Sequence, residues 1–117
     1  MSAQENTAIA RCYFEDVWNK KNLAAIDGLF AANFAGHAPD TTIQGSEALK
    51  QRVSTGYAED IHFTIKDVIA EGDKVCVRWM YRATVKGKQA AATGMHLFRI
   101  TGGKIEEFWI NMNEAGA

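Results

Sequence analysis

Val75, Val77, Trp79, Tyr81, Ala83 and Val85 occupy every second position of one unbroken stretch, with Cys76, Arg78, Met80, Arg82 and Thr84 between them. A period of two puts successive side chains on opposite faces of an extended backbone, so this stretch predicts a long β-strand with one apolar and one semi-polar face. Such a strand needs neighbours, and the flanking chain offers them. Ile61, Phe63 and Ile65 alternate before it, ahead of a turn at Glu71-Gly72-Asp73-Lys74. Lys86-Gly87-Lys88 turns the chain back after it.

The last hairpin, Ala91 to Asn113, turns at Gly102-Gly103, because glycine tolerates the positive φ of tight turns. Pairing Thr101 with Lys104 sets Ile100 opposite Ile105, Arg99 opposite Glu106, Leu97 opposite Phe108 and His96 opposite Trp109. The opposite charges of Arg99 and Glu106 favour that register. One face then carries Phe98, His96 and Gly94 beside Glu107, Trp109, Asn111 and Asn113, which reads as a partly polar pocket wall. Met95, Leu97, Phe108, Ile110 and Met112 take the other face, as core or interface.

Helices precede the strands. Ser2 and Glu5 have the spacing of a capping box, and Ile9, Cys12, Tyr13, Val17 and Trp18 recur at steps that line one helical face. Asn22 suits the cap of a short second helix through Leu23, Ile26 and Phe30. Asn33 to His37 reads as a short strand ending before Pro39, and Thr41 to Gln44 as an extended piece. A third helix opens at Gly45-Ser46-Glu47, with Ser46 as cap and Leu49, Val53 and Tyr57 on its buried face. Helices followed by a meander of strands predict an α+β domain, residues 1–117 as one unit, with three N-terminal helices packed on a strongly curved antiparallel sheet, a cone-shaped barrel. The hollow between sheet and helices is where a small ligand would bind.

A net charge of −1 with no basic block argues against a nucleic-acid partner. No apolar run approaches a membrane span, and the first residues do not read as a signal peptide. The two cysteines, Cys12 and Cys76, sit far apart in apolar contexts and read as free thiols, which together with the missing signal predicts a cytoplasmic protein. His37, His62 and His96 have no metal-ligand spacing, and no phosphate-binding glycine loop is present, so no cofactor is expected.

Five segments in order carry a resemblance: Y-F-E-D-V-W-N from Tyr13, F-A-G-H-A-P from Phe34, Q-G-S-E-A-L-K from Gln44, A-E-G-D-K-V from Ala70 and F-R-I-T-G-G-K-I-E-E-F-W from Phe98. In this the chain resembles the nuclear transport factor two-like superfamily and, within it, the SnoaL-like polyketide cyclases. The resemblance implies a curved sheet wrapped on three helices, a deep pocket, and commonly a homodimer formed through the sheet. It also implies a range of roles, from ring closure and double-bond isomerisation to plain ligand binding. Cyclases of this kind place an aspartate four residues after the last-strand tryptophan, where this chain has Asn113. The ketosteroid isomerases are similar in layout, and their helix tyrosine falls near Tyr13, their first-strand base at or beside His37 and their oxyanion-binding acid at His96.

These readings combine into one expectation. His37 acts as base, His96 with Asn111 or Asn113 binds a developing enolate oxygen, and Tyr13 adds a hydrogen bond. Trp79, Tyr81, Phe98 and Trp109 line the ligand, a small apolar molecule bearing a carbonyl group. The alternative is a non-catalytic small-ligand-binding domain of the same fold.

Overall fold

The computed structural model describes residues 2–115. Helix α1 spans Ala3–Cys12, and the capping box is present: the Glu5 amide donates to Ser2 Oγ, and the Ser2 amide donates to the Glu5 carboxylate. The helix then widens into a π-helical segment, Tyr13–Asn19. A short α2, Ala25–Leu29, follows without a side-chain cap, the Asn22 carbonyl instead accepting from the Ala25 amide. Strands β1 (Phe30–Ala38) and β2 (Thr41–Gln44) lead into α3, Gly45–Tyr57. Its cap is Gln44, without a side-chain bond, rather than Ser46. Then come β3 (His62–Glu71), β4 (Lys74–Val85), β5 (Lys88–Thr101) and β6 (Lys104–Ala115).

The strands form one curled six-stranded sheet in the order β2-β1-β6-β5-β4-β3. Two features depart from the sequence expectation. The sheet is mixed, since β1 runs parallel to β6 while every other neighbouring pair is antiparallel. It is also open, with β2 and β3 as its edges, rather than a closed barrel. The α+β order and the packing of helices on one face are as the sequence implies.

Tight turns set the ladders. Lys86 and Gly87, and likewise Gly102 and Gly103, have positive φ, which suits the twist of two-residue hairpins. Thr101 pairs with Lys104 and Ile100 with Ile105, as counted outward from the glycines. Beyond that point the register slips by one, so that Arg99 pairs with Glu107, Phe98 with Phe108, Leu97 with Trp109 and His96 with Ile110. Glu106 is the extra residue of a β-bulge. The slip has a clear driving force. It turns Phe108 and Ile110 into the core and leaves Asn111 and Asn113 exposed. Burying each large apolar side chain is worth about 1.5–3 kcal/mol, whereas burying the amides without partners would cost about 1–3 kcal/mol each. Arg99 still reaches Glu106 at 2.9 Å, and Glu107 at 3.2 Å.

The core lies between the helices and the inner face of the sheet. Phe14, Phe34, Trp79, Phe98, Phe108, Ile100 and Ile105 are its large, fully buried members.

Candidate functional site

Within that core, a cavity of about 210 Å³ opens between the first helix, α3 and the inner face of β3–β6. Tyr13 and Trp18 come from the π-helical segment. They are five residues apart, a spacing that an α-helix turns well away from a common face and the wider π turn brings back toward it. Arg52, Thr55, Gly56 and Glu59 contribute from α3 and its exit, and Phe63, Trp79, Tyr81, His96, Ile110 and Met112 from the sheet. Gly56 makes room for the Trp18 indole, since an added Cβ would lie 2.5 Å from its ring. The Tyr57 hydroxyl donates to the carbonyl of Val17 and so ties the end of α3 to the π turn.

His96 stands at the centre of this aromatic setting and is only 4% exposed. It stacks on Phe98 at 5.4 Å and meets the edge of Phe14 at 5.1 Å. The Trp79 Nε1–H donates to His96 Nδ1 at 2.8 Å. An indole can only donate, so Nδ1 is the acceptor and the single proton of the neutral ring sits on Nε2. Burial, reinforced by the charge of Arg52, lowers the His96 pKa to about 3. The ring is therefore a neutral hydrogen-bond donor at ordinary pH. Burial likewise pushes the Tyr13 phenol well above its ordinary value, offset in part by the Trp18 indole and by Arg52. The Trp18 Nε1–H is itself buried and has no partner of good geometry.

Of the residues singled out in the sequence, Tyr13, Trp79, Tyr81 and His96 line this cavity, and Phe98 supports the His96 ring from the core. His37, Trp109, Asn111 and Asn113 do not join them. The bulge at Glu106 turns Trp109, Asn111 and Asn113 to the outer face of the sheet. His37 pairs with Trp109 across the parallel ladder, stacks on its ring at 5.5 Å, and places Nε2 2.7 Å from the Glu107 carboxylate. That hydrogen bond, with Arg99 adding to it, lowers the Glu107 pKa. The expected convergence of both histidines on one pocket is thus corrected, because they lie on opposite sides of the sheet. The neighbours of His37 on the inner side, Gly36 and Ala38, have no ionisable group. Asn111 and Asn113 instead border an open groove of about 520 Å³ with Arg78, Thr93 and Met95. His62 is exposed, as the sequence suggests.

Trp18, Arg52 and Glu59 are cavity residues that the sequence reading passes over. Trp18 reads as ordinary helical core, and the five-residue interval from Tyr13 is the only hint otherwise. Gly56, inside a helix where glycine is unfavourable, marks the place where another group comes close. Arg52 lies one turn before it. Among the described residues no group of three or more His, Cys, Asp or Glu side chains could hold a metal ion, and no helix is long and apolar enough to cross a membrane.

A curled sheet closed on one face by helices, with an aromatic cavity around one buried histidine, defines a class of small-molecule domains. The chain belongs to the SnoaL-like domain family, whose model matches residues 10–108. No individually curated protein matches it. A protein from Jannaschia sp. assigned as a SnoaL-like polyketide cyclase superposes with a TM-score of 0.85 at 14% identity, covering 95% of this chain and 87% of its own. AclR from Streptomyces galilaeus, assigned as a hydroxylase, gives 0.84 at 20% identity, covering 97% and 82%. A protein of ketosteroid isomerase-like fold from Catenulispora acidiphila, solved in complex with trimethylamine, gives 0.79 at 25% identity, covering 88% and 83%. These likenesses establish the fold.

Proposed function

We propose that this protein takes a small apolar carbonyl compound into the cavity between sheet and helices and carries out cofactor-free acid/base chemistry on it, of the isomerase, cyclase or lyase type. The bond from Trp79 to His96 carries this reading. It fixes a neutral imidazole with Nε2–H as donor, on a ring that is itself buried. A carbonyl oxygen that accepts from Nε2 is polarised. The charge that grows on that oxygen as an adjacent C–H loses its proton strengthens the bond, so the transition state gains more than the bound substrate. Tyr13, kept protonated by burial, is the second donor. Glu59 is the carboxylate that lines the cavity and takes the part of base, in place of His37 across the sheet.

Exchange of α-protons for deuterium in a methyl ketone such as acetophenone, followed by NMR in D₂O, tests this. Wild-type protein is expected to accelerate exchange, and His96→Ala and Glu59→Gln each to slow the catalysed rate by about 100-fold. A second reading, a non-catalytic ligand-binding domain, is favoured by Asn113, which replaces the cyclases' aspartate and is exposed on the outer face. Binding of the ketone without any acceleration of exchange would select it. We also propose a homodimer through the outer face of the sheet, where Met95 is 48% and Ile69 72% exposed.

A further inference from the structure

Two charged side chains line the cavity, Arg52 on α3 and Glu59 just beyond its end. Arg52 is exposed at the rim and makes no ion pair with any described residue. Arg78 and Arg99, by contrast, each hold a carboxylate, at 2.6 Å and 2.9 Å. The charge of Arg52 also reaches the cavity floor. It acts on both His96 and Tyr13. A ligand lying in this cavity therefore has donors at its inner end and an uncommitted guanidinium at its outer end.

We propose that Arg52 is a ligand-recognising residue and that the cavity takes a flat carboxylic acid, its carboxylate paired with Arg52 at the rim and its carbonyl end at His96. This rests on the reading of the cavity as the ligand site. A guanidinium presents two parallel N–H donors that match a carboxylate, which a neutral ester cannot reproduce. The aromatic lining, with Tyr13, Trp18, Phe63, Trp79 and Tyr81, favours a planar body that can lie against a ring. The volume of about 210 Å³ is below the roughly 300 Å³ at which drug-sized pockets begin. That points to a ligand of one or two rings.

The test compares 4-acetylbenzoate with its methyl ester, by calorimetry or NMR titration at pH 7 and low salt, on wild type, Arg52→Gln and His96→Ala. Wild type is expected to bind the acid about fivefold tighter than the ester, with the gap closing at high salt, as for any rim ion pair. Arg52→Gln, folded as judged by circular dichroism, should bind the two alike. His96→Ala should weaken both. A wild type that does not prefer the acid, or a preference that survives Arg52→Gln, overturns the role of Arg52. Weakening of both probes by His96→Ala would still leave the cavity as the ligand site in that case. Binding of neither probe to wild type overturns both readings.

Discussion

His96 has one nitrogen committed to Trp79 and lies where burial disfavours its charged form, so its protonation opposes folding. Its pKa falls from the ordinary 6.5 to about 3 in the folded chain. As pH drops, the unfolded chain takes up the proton first. The contribution to stability is therefore complete above pH 6.5 and is lost progressively as pH falls toward 3, by up to about 1.4 kcal/mol per pH unit. Urea unfolding at pH 7, 6 and 5 should show this slope, and His96→Gln should flatten it. The lowered carboxyl of Glu107 adds its own loss only below its ordinary value of 4.5. Gly94 guards the same bond. A Cβ there would lie 2.7 Å from the Trp79 ring and 2.7 Å from the Asn111 carbonyl oxygen, both held in the sheet. Gly94→Ala is expected to cost about 1–3 kcal/mol in urea unfolding and to shift the Trp79 indole N–H resonance as the bond to His96 breaks. His96, Trp79 and Tyr81 were legible as inner-face residues because each faces inward by the alternation of its own strand. His37, Trp109, Asn111 and Asn113 depended on pairing counted across a turn or carried over from a family layout, and one unpaired residue was enough to misplace them.

At the scale of elements, what failed to show in the sequence is irregularity of a single residue. The bulge at Glu106 and the π turn at Tyr13–Asn19 each insert one residue into a regular period, and no local propensity demands either. The core selects both: the first buries Phe108 and Ile110, and the second sets Trp18 beside Tyr13. Parallel pairing of β1 with β6 was equally hidden, because it joins residues about 70 positions apart, such as His37 and Trp109. Turns, the cap of the first helix and the alternation of β4, all of them local, were read directly, whereas β1 runs longer than Asn33 to His37 and takes Phe30 from the expected second helix. The bulge makes a sharp prediction. Deleting one of the two glutamates at 106 and 107 gives a regular hairpin that keeps Ile105 and Phe108 inward. That variant should remain folded with a loss below about 2 kcal/mol, the ion pair of Arg99 with Glu106 being half-exposed. Its urea midpoint checks this, and its preserved cavity should still bind a ketone probe.

Across the whole molecule, the ladders line up His37, Trp109, Leu97, Cys76 and Ile69 in one row over the outer face of the sheet. Met95 stands in the next row beside Arg78. A stripe of this kind, apolar in its middle and rimmed by charge, is what two copies of a sheet bury between them. Sedimentation at micromolar concentration should find a dimer, and Leu97→Glu should give a folded monomer. Cys12 and Cys76 are both free. Cys76, lying in the stripe, should react with a maleimide faster in that monomer than in wild type, while the rate at Cys12 on the first helix stays the same.

The link from Tyr57 to the Val17 carbonyl also bears on time. The cavity floor belongs to strands with long ladders, whereas its mouth is framed by the end of α3, which this one side-chain bond fastens to the π turn. We predict that a ligand passing the mouth loosens that fastening and that the filled cavity leaves it in place. Tyr57→Phe should therefore raise the association and dissociation rates of a ligand together and leave its equilibrium constant nearly unchanged, so that residence time and affinity are set at opposite ends of the same cavity.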